Sequence, residues 1–177
     1  MDYSLLARPN FLRLYGGPYN LSIPTSPTLF LRKQMHRFCT WETRLSFHPT
    51  SEYAEAGTVV WWNYFTYSSI GLRINEKTRF IRFQPAEGAV VERELRSNRS
   101  DVVFLIECGD RYKFGFREID GTAASMESQW IGEVSNGVMT KEPPIGISFT
   151  GMMLGIYSFA ERQRCLAPAD FHYVEFR

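Results

Sequence analysis

Acidic side chains are the first candidates for chemistry in this sequence, because acid–base catalysis often uses two carboxylates held on either side of one bond. Each acidic pair here is predicted to lie on a solvated strand face or in a turn. The pairs are Glu52 with Glu55, Glu92 with Glu94, and Asp110 with Asp120. The sequence also contains no Gly-x-Ser-x-Gly elbow, His-Glu-x-x-His motif or phosphate loop. No catalytic residue is therefore predicted.

Aromatic residues cluster around one predicted strand–turn–strand unit, which runs from Trp61 to Arg73. Sugars expose apolar C–H patches that stack on such rings, and sugar hydroxyls bind planar polar groups nearby. Strand alternation sends Trp61 and Trp62 to opposite faces, so at least one of them is expected in the core. The unit predicts a site for a neutral carbohydrate. Its candidate ligand-binding residues are Trp62, Tyr64, Phe65, Tyr67 and Arg73.

Short runs rich in Val, Ile, Phe, Tyr and Trp, separated by Gly, Pro, Asn, Asp and Ser, predict antiparallel strands along the whole chain. The clearest hairpin turns at Gly109-Asp110. Because no crossover helix is indicated, we predict an all-β, antiparallel two-sheet sandwich. On the strand from Thr66 to Ile74, Ile70 and Leu72 should face the core with Ile74, while Tyr67 and Arg73 should face outward with Ser69 and Gly71.

The chain has 177 residues, of which 44% are hydrophobic, and this size predicts a single domain. A formal net charge of +1 gives no field that would hold nucleic acid, and no apolar run is long enough to cross a bilayer. The three cysteines, Cys39, Cys108 and Cys165, are far apart and are expected to be buried thiols. Neither nucleic acid nor a membrane is therefore expected as a partner.

Four segments in this order resemble one known module, the C-terminal concanavalin A-like domain of glycoside hydrolase family 43 β-xylosidases. They are Leu29-Phe-Leu-Arg-Lys-Gln34, Gly57-Thr-Val-Val-Trp-Trp-Asn63, Phe149-Thr-Gly-Met-Met-Leu-Gly155 and the end of the chain from Pro168 to Arg177. The resemblance runs from about Tyr3 to Arg177. It implies a concanavalin A-like jelly roll that lacks the opening, tryptophan-containing strand of the family.

The resemblance also implies roles for individual residues. Arg13, Arg32, Gln34 and His36 come from strands that the family places in one sheet region, so they join the candidate ligand-binding set. Phe149 would help to close the active-site pocket of a neighbouring catalytic domain. Asp170 matches an acidic position that could order a loop, bind a structural calcium ion or end a turn. No other cofactor is implied.

In the resembled enzymes the catalytic carboxylates belong to a separate five-bladed propeller, and this chain has no counterpart of it. The first functional hypothesis is thus a non-catalytic module that supports a propeller catalytic domain and binds xylan. The second is a stand-alone protein that binds, cyclises or isomerises a small hydrophobic molecule. The third is a homo-oligomer in which a neighbour replaces the absent strand. Localisation follows the hypothesis: extracellular for a secreted glycosidase, cytoplasmic for a stand-alone protein without a signal peptide.

Overall fold

The computed structural model describes residues 2–99, 101–119, 127–141 and 151–177, which form two antiparallel sheets and one short helix. Strands are numbered in chain order. Sheet A contains, from edge to edge, β1 (Tyr3–Ser4), β2 (Leu12–Leu14), β13 (Ala169–Phe176), β4 (Cys39–Ser46), β9 (Asp101–Cys108), β10 (Arg111–Ile119) and β11 (Gln129–Ser135). Sheet B contains β3 (Thr28–Lys33), β12 (Met153–Ala160), β5 (Ala54–Trp61), β6 (Tyr67–Asn75), β7 (Thr78–Gln84) and β8 (Val91–Glu94). Helix α1 covers Asn136–Met139.

The predicted all-β sandwich is confirmed. The β9–β10 hairpin turns at Gly109-Asp110 as expected, with Cys108 opposite Tyr112. Strand β5 begins at Ala54, four residues before its predicted start at Thr58, and β12 extends from Met153 to Ala160. The predicted turn at Asp120-Gly121, like Phe149, lies outside the described residues. Within the described residues, no helix is long and apolar enough to cross a membrane.

The core fills the space between the two sheets with alternate residues of each strand. Ile70 and Leu72 are fully buried there, as their alternation on β6 predicts, whereas Ile74 near the strand end is only half-buried. Sheet A contributes a run of aromatic rings to the same layer, including Phe104, Phe114 and Phe116. All three cysteines are buried free thiols, which confirms the prediction made for them.

One polar connection crosses this apolar core from sheet A to sheet B. The Trp41 indole N–H donates a hydrogen bond of 2.7 Å to Thr58 Oγ1, and that hydroxyl donates one of 2.6 Å to the Gly155 carbonyl oxygen. Trp41 and Thr58 are both buried, so neither group has water as an alternative partner. The connection therefore fixes β4 of sheet A against β5 and β12 of sheet B.

The N-terminal edge of sheet A is occupied by the chain's own first residues. Tyr3 lies opposite Leu14 and Ser4 opposite Arg13, and the Tyr15 amide donates to the Asp2 carbonyl oxygen at 2.9 Å. Residues 2–4 thus cover the β2 edge. The homo-oligomer hypothesis places a strand from another copy at this edge. Self-association remains a prediction that these contacts do not test.

We predict that Thr58→Val destabilises the sandwich, although valine has the same shape and is more apolar. The substitution leaves the Trp41 N–H and the Gly155 carbonyl group buried without their partner, which costs about 1–3 kcal/mol of unfolding free energy. Chemical denaturation measures this loss. The matched control is Thr40→Val, at an exposed position of β4, which should change stability by less than about 0.5 kcal/mol. Equal stability of the two variants would contradict the structural role of the connection.

Candidate functional site

The outer face of sheet B has a buried carboxylate at its centre. Alternation along β5 places Glu55 on this face, and Arg73 of β6, Arg82 of β7 and Tyr157 of β12 point to the same side. Glu55 is only 1% exposed. The expectation that Glu55 lies on a solvated face or in a turn is therefore wrong, because β5 begins at Ala54 and carries Glu55 into the sheet.

Both oxygens of the Glu55 carboxylate are occupied. The Tyr157 hydroxyl donates to Oε1 at 2.5 Å, and Arg73 Nε donates to Oε2 at 2.5 Å, while Arg82 Nη1 lies 3.6 Å from Oε2. Arg73 Nη2 also donates to Glu161 Oε1 at 2.8 Å, which connects the buried network to the surface. Burial raises the pKa of Tyr157, and the Glu55 charge raises it further. The phenol thus stays protonated as a donor at neutral pH.

A glycine creates the space for this network. A Cβ atom on Gly71 would lie 2.4 Å from the Tyr157 hydroxyl oxygen and 2.8 Å from Glu55 Cγ. Any larger residue at this position would therefore displace one of the two groups. Tyr157 and Phe159 also form a small apolar cluster with Leu21 and Val59, so the centre of the outer face is covered. A carboxylate that is 1% exposed and hydrogen-bonded through both oxygens is not accessible to a substrate.

The predicted aromatic unit is only partly assembled as expected. Trp62 is buried, at 9% exposure, whereas Trp61 lies on the outer face and stacks on Tyr67 with 5.6 Å between ring centroids. Trp61 therefore replaces Trp62 as the ring that this face offers. Tyr64 and Phe65 contact each other in the turn between β5 and β6, with centroids 4.2 Å apart. Alternation predicted that Trp61 and Trp62 would face opposite ways, but which one is buried depends on the residues that cover each face.

Arg32, Gln34 and His36 lie elsewhere, at the β3 edge of sheet B. The Arg32 guanidinium lies 4.6 Å from the centre of the Phe176 ring, and His36 stacks on the same ring at 6.4 Å. Gln34 accepts a hydrogen bond of 2.8 Å from the Tyr112 hydroxyl. Strands β12 and β5 lie between β3 and β6 in sheet B, so Arg32, Gln34 and His36 are separate from Tyr67 and Arg73. The structure therefore does not bring these three residues to the Glu55 face.

Arg13 belongs to a third location, in sheet A. Its Nε and Nη2 atoms donate to the two oxygens of Asp170 at 2.6 and 2.8 Å, and Arg8 donates to Asp170 Oδ2 at 2.9 Å. A calcium ion at Asp170 would have to displace two guanidinium groups, and among the described residues no cluster of metal-ligating side chains is present. Of the roles proposed for Asp170, the contacts support the ordering of the neighbouring loop through Arg8.

Open space adjoins the Glu55 network where it reaches the surface. A cleft of about 550 Å³ is lined by Tyr19, Asn20 and Ile23 of the covering loop and by Glu161 and Arg162 after β12. Arg162 has a φ of 69°, in the left-handed region that side chains rarely adopt. Sequence reasoning missed this cleft, since its two walls come from segments about 140 residues apart.

The topology is that of a concanavalin A-like sandwich whose outer faces carry ion pairs and aromatic rings. The chain belongs to the β-xylosidase C-terminal concanavalin A-like domain family, whose model matches residues 1–177. This membership confirms the resemblance drawn from the sequence.

Three comparisons show the extent of the match. The chain is 27% identical over 180 residues to the non-reducing end α-L-arabinofuranosidase BoGH43B of Bacteroides ovatus, covering 99% of this chain and 32% of that protein. A solved structure of a Bacteroides ovatus xyloglucan PUL GH43B gives a TM-score of 0.83 at 26% identity, covering 99% and 34%. A xylan β-1,4-xylosidase from Bacillus halodurans gives 0.79 at 23%, also covering 99% and 34%, and shows the fold. The chain thus spans about a third of the length of these relatives.

The Asp170 ion pairs predict a pH-dependent contribution to stability. Burial alone would raise the pKa of Asp170, but the hydrogen bonds from Arg13 and Arg8 outweigh burial and lower this pKa below its ordinary value. Because the pKa of Asp170 is lower in the folded state than in the unfolded state, the ionised carboxylate stabilises the fold above about pH 4. This stabilisation is lost as the pH falls through the folded-state pKa. Asp170→Asn should therefore cost about 2 kcal/mol of unfolding free energy at pH 7 and progressively less below pH 4.

Unfolding of both proteins in urea at several pH values measures this difference. The matched control is Asp110→Asn, because Asp110 pairs with Arg37 at the surface, where both side chains are more than half exposed. The control should show almost no loss at any of these pH values. A loss for Asp170→Asn that stays constant down to pH 2 would contradict the ion-pair explanation.

Proposed function

We propose that this chain acts as a non-catalytic module of a longer, β-xylosidase-like glycoside hydrolase, where it supports a propeller catalytic domain. One observation carries the proposal: the family match runs over residues 1–177, yet these residues span only about a third of the relatives. The relatives are named as an α-L-arabinofuranosidase and a xylan β-1,4-xylosidase. The remaining two thirds of such a protein would therefore supply the catalytic residues.

The charge network of sheet B supports a structural role. Glu55 accepts hydrogen bonds from Tyr157 and Arg73 inside the outer face, so its charge is already used to hold three strands in one arrangement. Because Glu55 is buried in this network, a substrate has no access to it for the acid or base role that glycoside hydrolysis requires. The network does provide a rigid surface, and rigidity is what a domain needs to hold its neighbour in one orientation.

We propose further that xylo-oligosaccharides bind weakly to the outer face of sheet B. The stacked rings of Trp61 and Tyr67 supply an aromatic surface, and Tyr64 with Phe65 extends it through the turn. A cleft of about 450 Å³ at β7 and β8 contains three glutamates and favours a polar ligand over a small hydrophobic one, whereas the cleft of about 550 Å³ combines Glu161 and Arg162 with Tyr19 and Ile23. The stacked rings of Trp61 and Tyr67 support the carbohydrate hypothesis over the cyclase or isomerase hypothesis.

The catalytic part of the proposal predicts that the purified 177-residue chain releases no p-nitrophenol from p-nitrophenyl β-xyloside or α-L-arabinofuranoside. The physical reason is that the Glu55 carboxylate is buried and occupied by Tyr157 and Arg73. Turnover is measured by absorbance, with Glu55→Gln and Glu161→Gln prepared in parallel. Hydrolysis by the wild-type chain that either substitution abolishes would overturn the proposal, because contaminating enzyme would survive both.

The binding part is tested by calorimetry with xylohexaose. Tyr67→Ala removes one ring of the stacked pair and should weaken binding by about 1–2 kcal/mol, which is roughly 5- to 30-fold in Kd. Phe38→Ala is the matched control, because Phe38 is an exposed aromatic residue outside this unit. Its Kd should equal that of the wild type. Equal affinities for the Tyr67 and Phe38 variants would show that the sugar does not bind to the Trp61–Tyr67 surface.

A further inference from the structure

The outer face of sheet A carries an exposed tryptophan that the proposed function does not use. Trp130 lies on the edge strand β11 and is 43% exposed, whereas Trp41 and Trp62 are buried. A large aromatic ring on a solvated face loses the hydrophobic free energy that burial would give it.

A glycine lies directly beneath the indole ring. Gly115 of β10 is the register partner of Trp130, and a Cβ atom on Gly115 would lie 2.8 Å from Trp130 Cε3 and 3.1 Å from Cζ3. The ring thus lies over the strand, with one face against the Gly115 backbone and the other toward solvent. Glycine weakens the middle of a strand, and it often marks a place where another group approaches the backbone closely. The exposed Trp130 and the mid-strand Gly115 are each unfavourable for stability, but together they give a flat, exposed aromatic surface.

Polar side chains flank this surface on the same face of the sheet. Lys113 and Arg117 lie two residues before and after Gly115 on β10, so they point to the same side as the Trp130 ring. Arg117 Nη2 lies 2.9 Å from Glu42 Oε1, and the Tyr173 hydroxyl donates to the same oxygen at 2.6 Å. The half-buried Arg117, Glu42 and Tyr173 form a row of hydrogen-bonding groups that begins on β10, under the ring, and runs across the sheet to β13.

The charges of this face are balanced in local pairs. Lys113 Nζ lies 3.7 Å from Glu107, Arg111 pairs with Glu133 at 2.6 Å, and Arg117 pairs with Glu42. Because each cation has its own anion, the face has no strong field to attract a phosphate, a nucleic acid or a basic peptide. It offers a flat apolar ring beside planar donors and acceptors, which suits the C–H face and the hydroxyl groups of an uncharged sugar.

We propose that Trp130, with Arg117 and Glu42, forms a second carbohydrate-binding surface for an uncharged chain of pyranose units. One sugar ring stacks on the exposed face of Trp130, and the hydroxyl groups of this and the neighbouring units of the chain bind the Arg117–Glu42–Tyr173 row. The ligand class follows that of the proposed function, but the surface is on the opposite sheet. The two surfaces can therefore be tested independently.

Fluorescence titration of the 177-residue chain carrying Trp61→Phe tests this surface with xylohexaose, because the substitution removes the indole of the sheet B surface and leaves Trp130 as the solvated indole whose emission shifts to shorter wavelength when a sugar covers it. In this background Trp130→Ala should abolish the shift and weaken one of the two binding events seen by calorimetry at least tenfold. Trp130→Phe keeps a flat ring and should weaken that event less than threefold. Tyr67→Ala, on sheet B, should leave the shift unchanged.

A wild-type measurement accompanies the variants, in case Trp130→Ala does not fold. N-Bromosuccinimide oxidises exposed indoles, and peptide mass spectrometry locates the oxidised tryptophan. Xylohexaose should slow oxidation of Trp130 at least fivefold. Unchanged oxidation, or a Trp130→Ala variant that folds and binds like the wild type, overturns the proposal. If only Tyr67→Ala loses binding, the Trp130 proposal is overturned and the sheet B surface is retained. If neither variant loses binding, both proposed carbohydrate surfaces are excluded.

Discussion

The buried charge of Glu55 is the constraint on which the rest of sheet B depends. A carboxylate removed from water costs several kcal/mol unless charged and polar partners surround it. Arg73 and Tyr157 supply those partners from the two strands on either side of β5, and Arg82 approaches from the next strand. Four strands must therefore keep their register for one carboxylate to be satisfied.

Other features of the sheet follow from the same requirement. Gly71 has no side chain because the Tyr157 hydroxyl and the Glu55 stem occupy the space above it. Leu21, far away along the chain, covers Tyr157 together with Val59 and Phe159, which keeps water from the network. A buried ion pair, unlike apolar side chains of similar volume, is satisfied in one alignment of the strands only, so it favours a single register.

The sequence was sufficient for the class of fold and for the orientation of β6, because both depend on local alternation. Ile70 and Leu72 face the core and Tyr67 and Arg73 face outward, as a period of two requires. Glu55 could not be placed from the sequence, since Ala54-Glu55-Ala56-Gly57 has weak strand propensity and its burial depends on residues distant along the chain. Arg13 shows the same limit: its partner Asp170 is 157 residues away.

The two outer faces of the sandwich differ in how they use charge. Sheet B encloses an ion network and leaves an aromatic pair at one side, whereas sheet A distributes separate ion pairs around an exposed indole. On each face a partly or fully buried carboxylate, Glu55 in sheet B and Glu42 in sheet A, is paired with an arginine, which agrees with the supporting role proposed above. The family relationship and the physical chemistry of the faces therefore lead to the same account.

The most direct test of this account is the free energy of unfolding of Glu55→Gln, measured by denaturation at pH 7. Glutamine keeps the size of the side chain and can still accept from Tyr157, but it leaves the half-buried Arg73 charge with Glu161 as its remaining partner. The account predicts a loss of about 3 kcal/mol, the scale of removing one member of a buried ion pair. A variant within about 0.5 kcal/mol of the wild type would contradict the claim that the Glu55 charge holds this face together.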